Sequence, residues 1–502
     1  MERINKTICA MLVALFLLGA AGTVAFASGG RLPSGVACDG LEGLVDGYVA
    51  GNRATTAAVS VSVFTRDAVL LEKAYGDSDI AAGTPNGADT VFEWGSVTKT
   101  LTWVSAMQLA EQGKLDLSED IREYLPKHFL RKLKYREPIT MLHLMNHTAG
   151  FQEVPLGMTV PFGMGSADLG CALRLIEPAQ VFCPGEHMAY SNYGAALAAY
   201  IVERISGLPF YEYARANIFT PLGMTKTAFA PGLADNEWVK VQRPKLRCYG
   251  TDRKSLGVSM NDYLYPAGMA TGTIADLRRL AAALLPDKNG MSPLFQKAGT
   301  LTALFTPTAM FPDGETPSDC HGLWPEPLLG GRVIGHLGAT VGCTSAIYVD
   351  PDAGVGMAVM TNQSGESAYT RKLPRRIFGE KSLGGGDFEE AGDISGVYFM
   401  SRDMHEGLLK PIRFMRMVVV VKAEDGYRTF PEHAVAPIGP ALYLVADEVS
   451  QPLYAVFDEH GRAVKLAAFT EEYMRSDAWY AGVIYWACSL WAGRYSPSSS
   501  RS

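Results

Sequence analysis

The chain has 502 residues, 48% of them hydrophobic and 19% charged, with a formal net charge of −7. That usage excludes wholesale disorder and fibrous architecture, while the length exceeds what one core organises and favours two or three domains. A pI near 5.8 without a basic cluster gives no electrostatic attraction for nucleic acid and directs the search to a small-molecule or peptide substrate.

Arg3 and Lys6 precede an uncharged, mostly apolar run from Ile8 to Phe26 that ends in Ala25-Phe26-Ala27. This pattern predicts a secretory signal over residues 1–27, cut after Ala27. The alternative is an uncleaved membrane anchor, since about 20 apolar residues just span a bilayer. Either way residues from 28 onward are expected outside the cytoplasm, as a periplasmic, secreted or membrane-associated protein.

Valine-rich alternation from Ala57 to Ala74 predicts a strand pair. Between Ser96 and Gly113 the apolar residues move to helical spacing, at Leu101, Val104, Met107 and Leu109. Further helices are expected over Asn192 to Ile205 and Ile274 to Leu285. Late strands follow at Arg332 to Leu337, Cys343 to Val349 and Val355 to Thr361. Strands first, helices in the middle and strands at the end predict an α+β domain over 28–383, whose early and late strands share one antiparallel sheet. Beyond Gly384-Gly385-Gly386, short alternating segments separated by turns predict a small all-β domain over 388–470.

The final stretch, 471–502, contains the aromatic run Trp479 to Trp491, which is too short to span a bilayer and reads as an interfacial or domain-packing helix. A peripheral membrane contact through 479–491 is one expectation for it. Removing the signal leaves seven cysteines. One or two disulfides are expected in an oxidising compartment, with Cys171–Cys183 and Cys320–Cys343 as candidate pairs, against the alternative that several cysteines are small buried hydrophobes.

A serine hydroxyl needs a neighbouring base to become a nucleophile. Ser96 and Lys99 stand three residues apart at a helix start, on one face, where the amine reaches the hydroxyl. Alone, this S-x-x-K spacing also fits a capping serine followed by an exposed lysine. A lone lysine in a central apolar helix would, however, be costly without a role. Tyr190-Ser191-Asn192 supplies a phenol, which a nearby ammonium would make more acidic, and an amide able to hold both Lys99 and a substrate carbonyl. Its bland alternative is a turn. His336-Leu337-Gly338 leads into Ala339 on an edge strand, where glycine lets substrate approach and the N–H groups of Ala339 and Ser96 would form an oxyanion hole.

Taken together these words resemble the serine β-lactamase-related family, in the branch of class C β-lactamases, DD-peptidases and related esterases. Phe92 to Thr100 is similar to its nucleophile segment. Gly113-Lys114-Leu115-Asp116-Leu117, Tyr124-Leu125-Pro126, Thr140 to Phe151, Pro184 to Asn192 and Pro221-Leu222-Gly223-Met224 continue the likeness over roughly residues 45 to 370. The resemblance implies an antiparallel sheet flanked by helices plus a helical subdomain, an acyl-enzyme on Ser96, proton transfer shared by Lys99 and Tyr190, and positioning by Asn192, His336 and Gly338. It implies no cofactor and no metal. In β-lactamases and DD-peptidases the third motif usually begins with lysine, which pairs with a substrate carboxylate. Here it begins with His336, and neutral imidazole is a poorer carboxylate partner, so an ester or amide gains over penicillin.

His143 and His147, four apart, lack the glutamate of H-E-x-x-H and are expected to pack rather than bind metal. Trp94, beside the nucleophile, reads equally as core or as a wall of the site. G-x-S-x-G is absent, against an α/β-hydrolase. Two further readings stand beside the leading one: a peptidoglycan-directed DD-peptidase or β-lactamase, and a catalytically silent cell-envelope binding module. The sequence leaves the oligomeric state open.

Overall fold

The computed structural model describes residues 30–478, except 154–158, 162–167, 258, 259, 263, 386, 425, 431, 432 and 448, together with 481, 482, 484, 485 and 488. The expected signal and most of the terminal aromatic run lie outside the described residues. Among the described residues no helix is long and apolar enough to cross a membrane.

The central sheet begins with β1 (Ala58–Thr65), β2 (Val69–Asp79) and β3 (Thr84–Pro85). It is completed by β4 (Trp324–Pro325), β5 (Ile334–Ala339), β6 (Thr344–Asp350) and β7 (Val355–Thr361). The strand order is β4-β5-β6-β7-β1-β2-β3 with antiparallel pairing, so early and late strands do share one sheet. Alternation in β1 sends Val59, Val61 and Val63 into a core with Val45, Leu373 and Ile377, whereas Ala58 and Phe64 join the larger core on the opposite face. Both faces are therefore covered, and β1 is buried along nearly its whole length.

The larger core surrounds the helix α1 (Lys99–Glu111), which is buried from Lys99 to Leu109. Its wide apolar surface suits a helix enclosed on all sides. It packs against α2 (Asn192–Ser206), which the Ser191 hydroxyl caps by accepting from Gly194 N at 2.9 Å and which Gly207 ends in the left-handed conformation.

The C-terminal unit is a closed eight-stranded barrel. Its strands are β8 (Gly396–Met400), β9 (Val418–Ala423), β10 (Gly426–Phe430), β11 (His433–Gly439), β12 (Leu442–Ala446), β13 (Gln451–Phe457), β14 (Ala463–Ala467) and β15 (Glu472–Arg475). Closure through the β8–β15 pair satisfies both edges, and the closing strand lies beyond residue 470. Tyr398, Val420, Tyr427, Tyr443 and Leu466 fill the interior. Of the terminal segment, Ala481, Ile484, Tyr485 and Cys488 pack at helical spacing on the outer wall made by Val397, Phe399, Val419 and Val421.

The expected disulfides are not formed: Cys171, Cys183, Cys320 and Cys343 are all free thiols. Cys343, just before β6, is hydrogen-bonded to the Cys248 thiol instead of meeting Cys320.

Candidate active site

Ser96 lies in a single 3-10 turn, Gly95–Thr98, that feeds directly into α1. Its side chain caps neither helix. Instead its Oγ accepts from Lys99 Nζ at 3.0 Å. Lys99 is fully buried, and its nitrogen also donates to Asn192 Oδ1 at 2.8 Å and to the Ala267 carbonyl at 2.6 Å. The capping serine with an exposed lysine is thereby excluded. Three acceptors match the three hydrogens of an ammonium. A neutral amine would keep Asn192 and Ala267 and turn its lone pair to Ser96, so one geometry accommodates both protonation states.

The nucleophile turn is pressed against β5 by two glycines. Gly95 has φ +53°, and a Cβ there would stand 2.6 Å from Ala339 N. At Gly338 a Cβ would fall 2.0 Å from the Trp94 carbonyl. Ser345 Oγ donates to that carbonyl at 2.6 Å and locks the approach. Backbone from the Ser96 turn and from Ala339 therefore lies side by side at the cleft, the placement an oxyanion hole requires. Because β4 pairs with Ile334 and Gly335, the stretch from His336 to Ala339 has no strand beyond it among the described residues, as expected for an edge.

Tyr190 and Asn192 meet Ser96 in the cleft. Lys99 Nζ lies 4.9 Å from the Tyr190 ring centroid. The Tyr190 hydroxyl is buried, and among the described residues its near neighbour is the Ser96 hydroxyl. The expectation that the ammonium makes this phenol more acidic is overturned: burial pushes it well above its ordinary value, which the nearby Ser96 hydroxyl only partly offsets. Tyr190 is thus a protonated phenol at neutral pH.

His336 also departs from expectation. It is 1% exposed, stacked on Trp324 at 4.2 Å between ring centroids, with Nδ1 2.7 Å from the Leu337 carbonyl. Burial, then the Lys99 charge, lowers its pKa to about 3. It forms the neutral backing of the wall, while Trp324, Leu337, Gly338 and Ala339 line the open cleft. The imidazole, expected to position substrate, stands behind Trp324 and does not itself line the cleft.

The histidine pair is engaged by backbone. His143 Nδ1 accepts from Thr140 N at 3.2 Å in a capping box, and His147 Nδ1 accepts from Ser191 N at 3.2 Å, setting the tyrosine motif. His147 packs between Trp103 and Tyr190. Trp94 is fully buried core.

The cleft has a volume of about 770 Å³, and its far wall comes from the barrel. Arg402, just after β8, holds its guanidinium 4.9 Å from the Tyr190 ring centroid, on which Lys99 also stands. Arg402 Nε donates to Glu153 Oε2 at 3.0 Å and Nη1 to Glu471 Oε1 at 3.1 Å. Burial opposes its charge, but these two carboxylates outweigh that and hold the guanidinium firmly protonated. Asp447, Gln451 and Thr470 complete this wall. Sequence reasoning missed all of these residues, because none belongs to a recognisable word and the barrel reads as a separate appendage.

Comparison with known proteins places these features in context. A family model described as Beta-lactamase matches residues 41–380. Penicillin-binding protein 4 of Amycolatopsis lactamdurans is 28% identical over 339 residues, 64% of this chain and 84% of that protein. Esterase EstB of Burkholderia gladioli is 32% identical over 173 residues, 32% of this chain, and the matched part spans less than half (44%) of the esterase. Among solved structures, SurE with D-Leu aligns with a TM-score of 0.60 at 22% identity, covering 88% of this chain and 99% of that one. That similarity in fold extends beyond the matched family region.

Proposed function

The chain belongs to the beta-lactamase family, and from that premise we propose that it is an exported serine hydrolase cleaving an ester or amide bond through an acyl-enzyme on Ser96. The carrying observation is Lys99 Nζ, placed 3.0 Å from Ser96 Oγ and steadied by Asn192 Oδ1. In the acylation step Lys99 takes the Ser96 hydroxyl proton as Oγ bonds to the carbonyl carbon. Negative charge then grows on the carbonyl oxygen, toward the N–H groups of Ser96 and Ala339. The carbonyl-to-leaving-group bond breaks, and the leaving group receives a proton through the Lys99–Tyr190 pair. Burial keeps the Tyr190 phenol protonated, which suits it to donate in this step. Water, deprotonated by the same pair, releases the acid and restores Ser96.

The neutral, enclosed His336 favours an ester or uncharged amide, because the third motif brings no cation to a substrate carboxylate. A peptidoglycan-directed peptidase is the second reading, supported by the likeness to a penicillin-binding protein over 84% of its length. Export rests on the charged start, apolar run and small-residue site before Ser28. N-terminal sequencing of protein recovered outside the cytoplasm tests it, and a retained Met1 sinks the cleavage.

The chemistry is tested by mapping a fluorophosphonate adduct by mass spectrometry alongside hydrolysis of p-nitrophenyl esters. An adduct on Ser96, lost in Ser96→Ala together with turnover, is expected. Labelling elsewhere, or equal turnover by the variant, sinks the reading. A fluorescent penicillin that labels Ser96 where esters are not turned over selects the peptidase.

A further inference from the structure

Behind the site, outside the proposed chemistry, two buried cysteines from distant parts of the chain lie together. Cys248 is 8% exposed and Cys343 fully buried. Backbone register brings their segments side by side. Tyr249 N donates to the Asn362 carbonyl at 3.0 Å, and the preceding Thr361 pairs with Thr344 in the β6–β7 ladder, one residue from Cys343. On the other side Arg247 N donates to the Ser78 carbonyl at 2.9 Å. The contact itself is tight. A Cβ on Gly342 would fall 2.3 Å from Cys248 Cβ and 2.4 Å from its Sγ, so the glycine is what lets the Cys248 side chain lie against the backbone leading into Cys343.

The surroundings suit thiol chemistry. Arg243 Nη2 lies 3.8 Å from Cys248 Sγ and 2.5 Å from Glu93 Oε1, three residues before Ser96. The Cys343 hydrogen bond and the Arg243 charge hold the Cys248 thiol below its ordinary pKa against the opposing effect of burial. The Cys343 thiol is pushed the other way, by its bond to Cys248 and by burial. Cys343 also closes the turn after the oxyanion strand: Thr340 N donates to the Cys343 carbonyl at 2.8 Å, and Cys343 N to Thr340 Oγ1 at 3.0 Å.

We propose that Cys248 and Cys343 form a disulfide that ties the segment at 247–256 to the β5–β6 turn beside Ala339. The oxidant is a small-molecule or protein disulfide of the folding compartment, acting before the pair is enclosed. The Cys248 thiolate attacks one oxidant sulfur, forming a mixed disulfide and expelling the first thiolate. Cys343 then loses its proton, attacks Cys248 Sγ and expels the second thiolate. Two protein thiols are oxidised and one disulfide is reduced to two thiols, so atoms and electrons balance. The assignment does not depend on Ser96 chemistry. Its consequence is mechanical, because the bond closes a loop of about 95 residues and holds the turn that carries the oxyanion strand.

The full chain, refolded with a glutathione couple and then alkylated, digested and mapped without reduction, tests the pair. A linked Cys248–Cys343 peptide two hydrogens lighter than the sum of its parts is expected, with Cys320 alkylated. Reduction of the linked protein should lower its Tm by roughly 5 °C or more. That shift should vanish in Cys248→Ala and Cys343→Ala, persist in Cys320→Ala, and leave ester turnover at 25 °C within about twofold. Alkylation of both thiols after oxidative refolding, or linkage of Cys343 to Cys320, overturns the proposal. The wild-type linkage map decides the matter even where a variant does not fold.

Discussion

Lys99 and Arg402 stand against the same tyrosine ring, each 4.9 Å from its centroid, and the protein holds them in opposite ways. Lys99, on the floor of the cleft, faces a hydroxyl, an amide oxygen and a backbone carbonyl, all neutral. Arg402, on the barrel wall, is gripped by the carboxylates of Glu153 and Glu471. Neutral acceptors let the amine give up or regain a proton without leaving a bare charge beside it. Carboxylates pin the guanidinium in its charged form and spend its donors on architecture. The floor therefore permits a change of protonation, whereas the wall fixes its charge.

The sharpest way to break this contrast is to remove the lysine. Lys99→Met should abolish measurable ester turnover, a loss of roughly 10³-fold or more, with circular dichroism unchanged. Activity within tenfold of wild type would show that Tyr190 alone serves as base. Tyr190→Phe removes one hydroxyl without emptying the ring position and should cost roughly 10²-fold in kcat. Because burial keeps this phenol protonated, the wild-type profile should show no phenol ionisation between pH 7 and about 9. An ionisation that disappears in Tyr190→Phe would reverse the assignment of donor.

Gly338→Ala attacks the seam. Its methyl would stand 2.0 Å from the Trp94 carbonyl, so β5 must move away from the nucleophile turn. We expect kcat/KM to fall about 10²-fold, as loss of one oxyanion donor does, with little change in far-ultraviolet circular dichroism.

On the wall, Arg402→Ala leaves two part-buried carboxylates without their shared guanidinium and should destabilise the docked barrel by about 1 to 3 kcal/mol. Thermal denaturation reads the loss, while turnover of the folded fraction drops only about tenfold. Adding Glu153→Gln and Glu471→Gln should recover part of the stability, because the penalty comes from uncompensated charge. A loss of turnover as deep as that of Lys99→Met would mean that Arg402 acts on the reaction itself.

The two sides were not equally legible in sequence. The meeting of Ser96, Lys99, Tyr190 and Asn192 was readable because these residue types recur at fixed spacing on helix starts, and such words survive in one dimension. The β1–β2 pair and α1 were readable for a similar reason, since a sheet face and a buried helix impose periodicity. Arg402 and Glu471 were not, because their partners are set by how the barrel docks, which no local pattern encodes. The cysteine pairing failed for the same reason: Cys248 and Cys343 are neighbours only through the ladder of β6 and β7. His336 was legible as a neutral imidazole but not as buried, because its enclosure depends on Trp324 stacking over it from β4.

That enclosure acts on stability rather than catalysis, and only on acidification. Burial lowers the His336 pKa to about 3, against 6.5 in an exposed histidine. The unfolded chain then binds a proton that the folded protein refuses between these values. Stability from this site is fully present above pH 6.5 and drains away as pH falls toward about 3. His147, fully buried and lowered by the same cause with the Lys99 charge added, drains stability in the same direction. His336→Gln keeps a polar side chain of similar reach that does not titrate, so its loss of stability between pH 6.5 and 4 should be shallower than that of wild type. Urea midpoints measured at several pH values read the slope. Parallel curves for the two proteins would mean that the imidazole opens to solvent on acidification, and the wall behind Trp324 would then be as adjustable as the floor.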